Sequence, residues 1–151
     1  MRGEELRDLG FGGLWGVGKA AEEPPALVVL SFEPPASAAA AAAAATATVE
    51  TVAWVGKGIV YDTGGLSLKV GGGMVGMKSD MAGSAAMLAA FEAAVALGTK
   101  QRLHLVLCLA ENAIGPKAMR NDDVLKLLSG KTVLLISTQK PKSQELFYQH
   151  R

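Results

Sequence analysis

A glycine-rich stretch from residue 56 to residue 83 carries four charged side chains that stand out, Lys57, Asp62, Lys69 and Asp80. Because glycine adopts positive φ and lets two backbones approach closely, this stretch can fold back tightly and gather its charges. A surface loop would be richer in serine, asparagine and glutamate, whereas this stretch is mainly apolar. The composition therefore indicates that the four charges meet in a half-buried pocket.

Two carboxylates and one amine in such a pocket can bind a divalent cation. A lysine binds a metal only as the neutral amine, a form that a nearby cation and burial both favour. A second lysine that stays protonated can polarise a carbonyl or stabilise an oxyanion. Two metals that share a carboxylate would acidify a shared water and hold a tetrahedral intermediate. The alternative is that these are solvated loop charges, and residue types alone favour that alternative.

Three motifs in this stretch, at residues 56–58, 61–69 and 77–83, resemble the leucyl (cytosol) aminopeptidase family. Their sequences are Gly-Lys-Gly, Tyr-Asp-Thr-Gly-Gly-Leu-Ser-Leu-Lys and Met-Lys-Ser-Asp-Met-Ala-Gly. Within the family, the resemblance is strongest to the branch of probable aminopeptidase-like proteins. It extends from about residue 5 to about residue 133 and is interrupted by an alanine-rich insertion.

The resemblance implies a role for each of five residues. Lys57 would be a metal ligand through its amine, Asp62 would bridge two metal ions, and Asp80 would bind the same metal as Lys57. Lys69 would be the catalytic lysine that stabilises the gem-diolate, and Met77 would line the pocket for the first side chain of the substrate. The family releases N-terminal residues from peptides with two zinc or manganese ions, and it assembles as a homohexamer.

The chain departs from the family pattern after residues 130–133, Gly-Lys-Thr-Val. The family continues with Asn-Thr-Asp-Ala-Glu-Gly-Arg, which supplies an aspartate and a glutamate to the metals and an arginine that holds a bicarbonate base. Here residues 134–142 are Leu-Leu-Ile-Ser-Thr-Gln-Lys-Pro-Lys. The last aspartate is Asp123, and the only glutamate after Glu111 is Glu145. The resemblance therefore indicates a chain truncated before the last metal-ligand motif.

One metal site would keep Lys57, Asp62 and Asp80 but lose its glutamate, and the other would keep only Asp62. Because affinity follows the number and charge of the ligands, we expect at most one weakly held ion. We therefore predict a metalloaminopeptidase half-site that is not catalytically competent in this chain alone. The alternative is a non-catalytic assembly or regulatory fragment that joins full-length subunits. Alternative splicing, an intron read-through or a gene-model error would each produce such a tail.

The composition fits a single domain of 151 residues, half of them hydrophobic. A net charge of +1 gives no electrostatic reason to expect binding to nucleic acid or to a membrane surface. Cys108 is the only cysteine, which excludes an internal disulfide, and its apolar neighbours predict a small buried residue. No apolar run has transmembrane length and residues 1–5 lack a signal-peptide pattern, so we expect a cytoplasmic protein.

Hydrophobic patterning and the resemblance predict an α/β fold, with a mixed, mostly parallel sheet and helices on both faces. Residues 1–133 would form a partial catalytic domain, interrupted by a dispensable alanine-rich insertion over 34–48, and residues 134–151 would be a divergent tail. Residues 10–18 are expected to be a glycine-rich loop. The predicted strands are 26–32, 51–55, 103–110 and 131–136, and the predicted helices are 4–9, 82–97 and 122–128.

Several other features have competing interpretations. Residues 71–76 fit the GxGxxG pattern of a dinucleotide site, but the acid expected about 20 residues later is missing. Asp122 and Asp123 suggest metal binding, although capping of a helix is the simpler explanation. His104 has no second ligand at a suitable spacing, so we predict an ordinary strand histidine. Glu111 is predicted to be an ordinary loop acid.

Overall fold

The computed structural model describes residues 1–35 and 50–136 of the chain. The predictions for the alanine tract and for the tail beyond residue 136 lie outside the described residues. Within them, no helix is both long enough and apolar enough to cross a membrane. The elements are, in chain order, α1 (Glu4–Asp8), α2 (Gly12–Gly18), β1 (Ala26–Phe32), β2 (Thr51–Asp62), a 3₁₀ helix (Met77–Ser79), α3 (Ala82–Ala96), β3 (Arg102–Asn112), β4 (Val124–Lys126) and β5 (Thr132–Leu134).

Strand β3 is the centre of a three-stranded sheet with the order β1-β3-β2. Side chains alternate between the two faces of a strand, and Leu103, Leu105 and Leu107 are buried on one of them. Cys108 is half-buried, and this burial raises the pKa of its thiol. β1 pairs with β3 antiparallel and β2 pairs with β3 parallel. The predicted α/β fold with a mixed sheet is therefore confirmed.

Helix α3 connects the parallel strands β2 and β3 and packs against both. Its buried Ser84 donates a hydrogen bond to the carbonyl of Gly56 at 2.8 Å. A side chain at Gly56 or Gly58 would collide with Ser84, so these glycines let the helix lie close to β2. The predicted apolar stripe of α3 includes Met87 and Phe91, and both are half-buried.

The first two helices differ in how well the sequence predicts them. The short helix predicted at the start of the chain is confirmed as α1, but the loop predicted over 10–18 is wrong because α2 forms there. A Cβ at Gly12 would collide with the backbone carbonyl of Lys126, and one at Gly16 with the side chain of Leu125. Glycine therefore permits close packing of α2 on β4, and this contact offsets the low helix propensity of glycine.

The last described part of the chain forms a hairpin rather than a helix. The helix predicted over 122–128 is wrong, because β4 lies there and pairs antiparallel with β5. Gly130 makes the turn with a φ of 81°, and the N–H of Leu127 donates to the carbonyl of Lys131 at 2.8 Å. Asp122 consequently caps no helix. The strand predicted at the end of this segment is confirmed as β5.

Two predicted strands exist but differ in detail from the prediction. The strand predicted over 26–32 has the same limits as β1, but the expectation that both its faces are covered is wrong because Val29 and Ser31 are exposed. In the described sheet β1 is an edge strand. The strand predicted over 51–55 continues as β2 to Asp62, because its glycines fit beneath α3 and its pairing with β3 persists.

Candidate metal centre

Strand β2 places two of the predicted metal ligands, Lys57 and Asp62, on the same face of the sheet. Residues five apart lie on opposite faces of a regular strand, because side chains alternate. The pairing shifts between Ile59, opposite Ala110, and Asp62, opposite Asn112, so β2 has one more residue than β3 in this interval. This bulge reverses the alternation and returns Asp62 to the face of Lys57. Lys57 itself lies inside β2, because the strand continues beyond its predicted end at residue 55.

Asp80 follows the 3₁₀ helix and lies against Lys57. The ammonium Nζ of Lys57 donates to Oδ1 of Asp80 at 2.7 Å. The other carboxylate oxygen, Oδ2, is buried and has no hydrogen-bond partner among the described residues. A buried carboxylate oxygen without a donor is costly, and a cation would satisfy it. The two side chains predicted to share one metal are thus adjacent, and one carboxylate oxygen has no donor in the described chain.

Asp62 forms the second ion pair of the centre. Its Oδ2 lies 3.1 Å from Nζ of Lys69, and these side chains are 16% and 17% exposed. Its Oδ1 accepts hydrogen bonds from the backbone N–H of Gly64 at 2.9 Å and from Nδ2 of Asn112 at 2.7 Å. Both oxygens of this carboxylate therefore have donors, in contrast to those of Asp80.

The turn after β2 brings Lys69 back to Asp62. Gly64 and Gly65 have φ values of 86° and 64°, which residues with a side chain rarely adopt. The N–H of Gly65 donates to the hydroxyl of Thr63 at 3.1 Å, and the N–H of Lys69 donates to the carbonyl of Thr63 at 2.9 Å. The tight folding that the glycines predict is confirmed at this turn.

The charge state of Asp62 follows from these contacts. Burial alone would raise the pKa of Asp62, but hydrogen bonds from Gly64, Lys69 and Asn112, together with the charge of Lys69, lower it below the ordinary value of 3.8. Asp62 is therefore ionised at neutral pH although it is largely buried. An ionised carboxylate is the form that binds a metal or holds a protonated lysine.

Met77 begins the 3₁₀ helix that leads to Asp80. The preceding Gly76 has a φ of 85°, and the Met77 side chain is half-buried. The short helix contacts β2, so Met77 lies in the same part of the molecule as the two ion pairs. Its assignment to the substrate pocket stays a prediction.

The competing interpretations find little support in the described chain. β2 ends at Asp62 and residues 71–76 form turns before the 3₁₀ helix, which differs from the strand–turn–helix unit of a dinucleotide site. Nδ1 of His104 lies 2.8 Å from the hydroxyl of Ser31, a pairing that fits an ordinary strand histidine. Glu111 lies in β3 and not in a loop, which corrects its predicted position.

Asn112 is the residue of this centre that the sequence reasoning missed. The predicted central strand ends at residue 110, whereas Asn112 is the last residue of β3 and pairs with Asp62. Its position at the carboxyl end of the strand beside β2 is the signal that was available. Across residues 1–35 and 50–136, no group of three or more His, Cys, Asp or Glu side chains could hold a metal. The candidate centre instead combines two carboxylates with lysine amines.

Comparison with known proteins decides the family. The catalytic-domain model of the cytosol aminopeptidase family matches residues 1–140. The chain belongs to this family. It is 54% identical over 138 residues to the probable aminopeptidase NPEPL1 of Homo sapiens, covering 91% of this chain and 24% of that protein.

Solved structures agree with this membership of the cytosol aminopeptidase family. Leucine aminopeptidase LAP1 of Caenorhabditis elegans superposes with a TM-score of 0.76 and 52% identity, over 88% of this chain and 25% of that one. The bottromycin maturation enzyme BotP, solved in complex with Mn, superposes with a TM-score of 0.73 and 41% identity, over 87% of this chain and 26% of that one. The chain thus spans about a quarter of the length of the relatives it matches.

Proposed function

We propose that this chain provides part of the metal centre of an aminopeptidase that releases N-terminal residues from peptides. Lys57, Asp62 and Asp80 would hold a divalent ion, zinc or manganese. The observation that carries the proposal is the 2.7 Å contact of Lys57 with Asp80, whose second oxygen is buried without a donor among the described residues. Nitrogen and oxygen ligands of this kind suit hard or borderline divalent ions.

When bound, the metal would supply an acidified water and a Lewis acid for the scissile carbonyl. The residues of the chain have separate tasks. Lys57 must lose its proton before its amine can bind the ion, and Asp62 is already ionised. Lys69, which lies next to Asp62, would stabilise the negative charge that develops on the carbonyl oxygen. Met77 contacts the first side chain of the peptide.

Metal binding by this chain alone is expected to be weak, with at most one ion bound and peptide hydrolysis absent. The acidic motif that completes both metal sites in the family does not occur in the 151 residues. A two-metal mechanism needs the ligands of that motif. The proposal includes a homohexamer, or assembly with full-length subunits, which the family resemblance implies. It also includes a cytoplasmic location, which the name of the cytosol aminopeptidase family supports.

Titration with Mn²⁺, followed by electron paramagnetic resonance, tests the ligand assignment. We expect saturable binding of Mn²⁺ to one site of the wild-type chain. In Asp80→Asn, which loses a charged ligand, the affinity should fall by about tenfold or more. Asp123→Asn is the matched control, because Asp123 pairs with Arg120 at 3.8 Å beside the β4–β5 hairpin. Equal affinities of the wild-type and Asp80→Asn chains would refute the proposed metal ligand.

An assay of leucyl-anilide hydrolysis tests the half-site. The purified chain with excess Mn²⁺ or Zn²⁺ is expected to show no activity above that of the Asp80→Asn variant. Robust metal-dependent hydrolysis that the variant loses would show that the three ligands suffice. The half-site interpretation would then be wrong, and this chain would contain a complete catalytic centre.

A further inference from the structure

Asn112 touches the candidate centre through its side chain. It is the last residue of β3, only 8% exposed, and lies opposite Asp62 in the pairing of β2 with β3. Its Nδ2 donates to Oδ1 of Asp62 at 2.7 Å. The opposite orientation of the amide would put two oxygens against each other, so the carboxylate dictates which end of Asn112 faces it.

The backbone of Asn112 holds the residue that follows Asp62. Its carbonyl accepts hydrogen bonds from the N–H of Thr63 at 3.0 Å and from the Thr63 hydroxyl at 2.6 Å. The end of β3 is therefore bonded both to the Asp62 carboxylate and to the start of the turn that returns Lys69. This arrangement fixes the direction of the Asp62 side chain relative to the turn.

One end of the Asn112 amide has a hydrogen-bond partner and the other end has none in the described chain. Its Oδ1 is buried and has no hydrogen-bond partner in the described part of the chain. A buried amide that satisfies only one of its ends costs stability, whereas an apolar side chain of similar size, such as leucine, would leave no orphaned oxygen. The Nδ2 of this amide makes the contact with Asp62, which an apolar side chain could not replace.

We propose that Asn112 is a positioning residue of the metal centre, which holds Oδ1 of Asp62 and leaves Oδ2 directed towards Lys69 and the ion. The inference rests on the proposed function, because it assumes that Asp62 is a metal ligand. Gly64 supplies the second donor to Oδ1, but this donor is a backbone N–H of the turn itself. Asn112 provides the only side-chain donor to Oδ1 in the described chain, and this donor comes from the neighbouring strand.

Binding of Co²⁺ to the 151-residue chain tests this inference, because the visible spectrum of Co²⁺ reports the ligand geometry. Asn112→Leu, which has a similar volume and no donor, is expected to bind Co²⁺ about tenfold more weakly and with a shifted absorption band. Asn112→Gln keeps the amide and should recover part of the affinity. If the leucine variant does not fold, Asn112→Ala carries the same test, because alanine also lacks a side-chain donor and is smaller.

Ser84→Ala is the matched control for a purely structural effect. Ser84 is 4% exposed and its hydroxyl makes one buried hydrogen bond, to Gly56, outside the Asp62 contacts. This variant should lose stability in urea while its Co²⁺ affinity and spectrum stay unchanged. Wild-type affinity and spectrum in folded Asn112→Leu or Asn112→Ala would overturn the inference.

Asp62→Asn separates this inference from the proposed function. If Asp62→Asn abolishes Co²⁺ binding while Asn112 variants bind normally, the metal centre stands and the positioning role fails. If Asp62→Asn binds Co²⁺ as the wild-type chain does, Asp62 is not a ligand. The proposed function and the role of Asn112 would then be overturned together.

Discussion

The two lysine–carboxylate pairs of the centre differ in burial and in the number of donors that their carboxylates receive. Asp62 is held by Lys69, Gly64 and Asn112, and both members of this pair are largely buried. Asp80 is held by Lys57 alone in the described chain, and Lys57 is 61% exposed. The contrast shows that one pair is a preorganised part of the scaffold. In the proposed metal centre, the other pair would exchange its mutual contact for a metal ion.

The largest expected loss of stability is that of Asp62→Asn. Lys69 would keep its buried position without a counter-charge, so we expect the free energy of unfolding to fall by about 2–4 kcal/mol. Urea unfolding measures this change. The matched variant Asp80→Asn should cost less than about 1 kcal/mol, because its lysine partner is well solvated. Equal losses in the two variants would remove the distinction between the pairs.

Lys69→Met should have a smaller effect than Asp62→Asn. Loss of the Lys69 ammonium leaves a charged Asp62, which still accepts hydrogen bonds from Gly64 and Asn112. We expect the free energy of unfolding, measured in urea, to be about 1–3 kcal/mol lower than that of the wild-type chain. A greater loss than in Asp62→Asn would mean that the two donors do not support the carboxylate without the lysine.

The contribution of Asp62 should disappear in acid. Its pKa in the folded chain is below the ordinary value of 3.8, so the unfolded chain binds the proton first as the pH falls. The stabilisation is present above 3.8 and is lost as the pH falls through the folded pKa. Urea midpoints measured between about pH 6 and pH 2 should therefore fall less steeply in Asp62→Asn than in the wild-type chain. Parallel profiles would contradict the assignment.

The smallest expected change in stability is that of Lys57→Leu. Lys57 is 61% exposed, but its loss removes a donor from Asp80, which is 20% exposed, so the free energy of unfolding should fall by about 0.5–1 kcal/mol. The affinity of the same variant for Mn²⁺ should fall by about tenfold or more, since one ligand is lost. Calorimetric titration measures the Mn²⁺ affinity, and urea unfolding of the same preparation measures the free energy of unfolding. A large loss of stability with unchanged binding would reverse the roles given to the two pairs.

Prediction succeeded where the signal was local. The apolar run of β3 and the patterned helix before Gly98 need no distant partner to be recognised, and both elements are present. It failed where two segments depend on each other. Helix α2 contains Gly12 and Gly16, which place it against β4, and β4 exists through its pairing with β5. Local propensity describes neither contact. It therefore favoured a loop where α2 forms and a helix where β4 forms.

The motifs around Lys57, Asp62 and Asp80 indicated the family and the candidate ligands before any coordinates, because residue type and spacing are carried by the chain itself. Tertiary structure decided how these residues meet. The bulge of β2 sets the face of Asp62, and the end of β3 supplies Asn112. Both depend on the register between two strands that are distant in sequence. One extra residue reverses the face of every later side chain, and that register forms only when the strands pair.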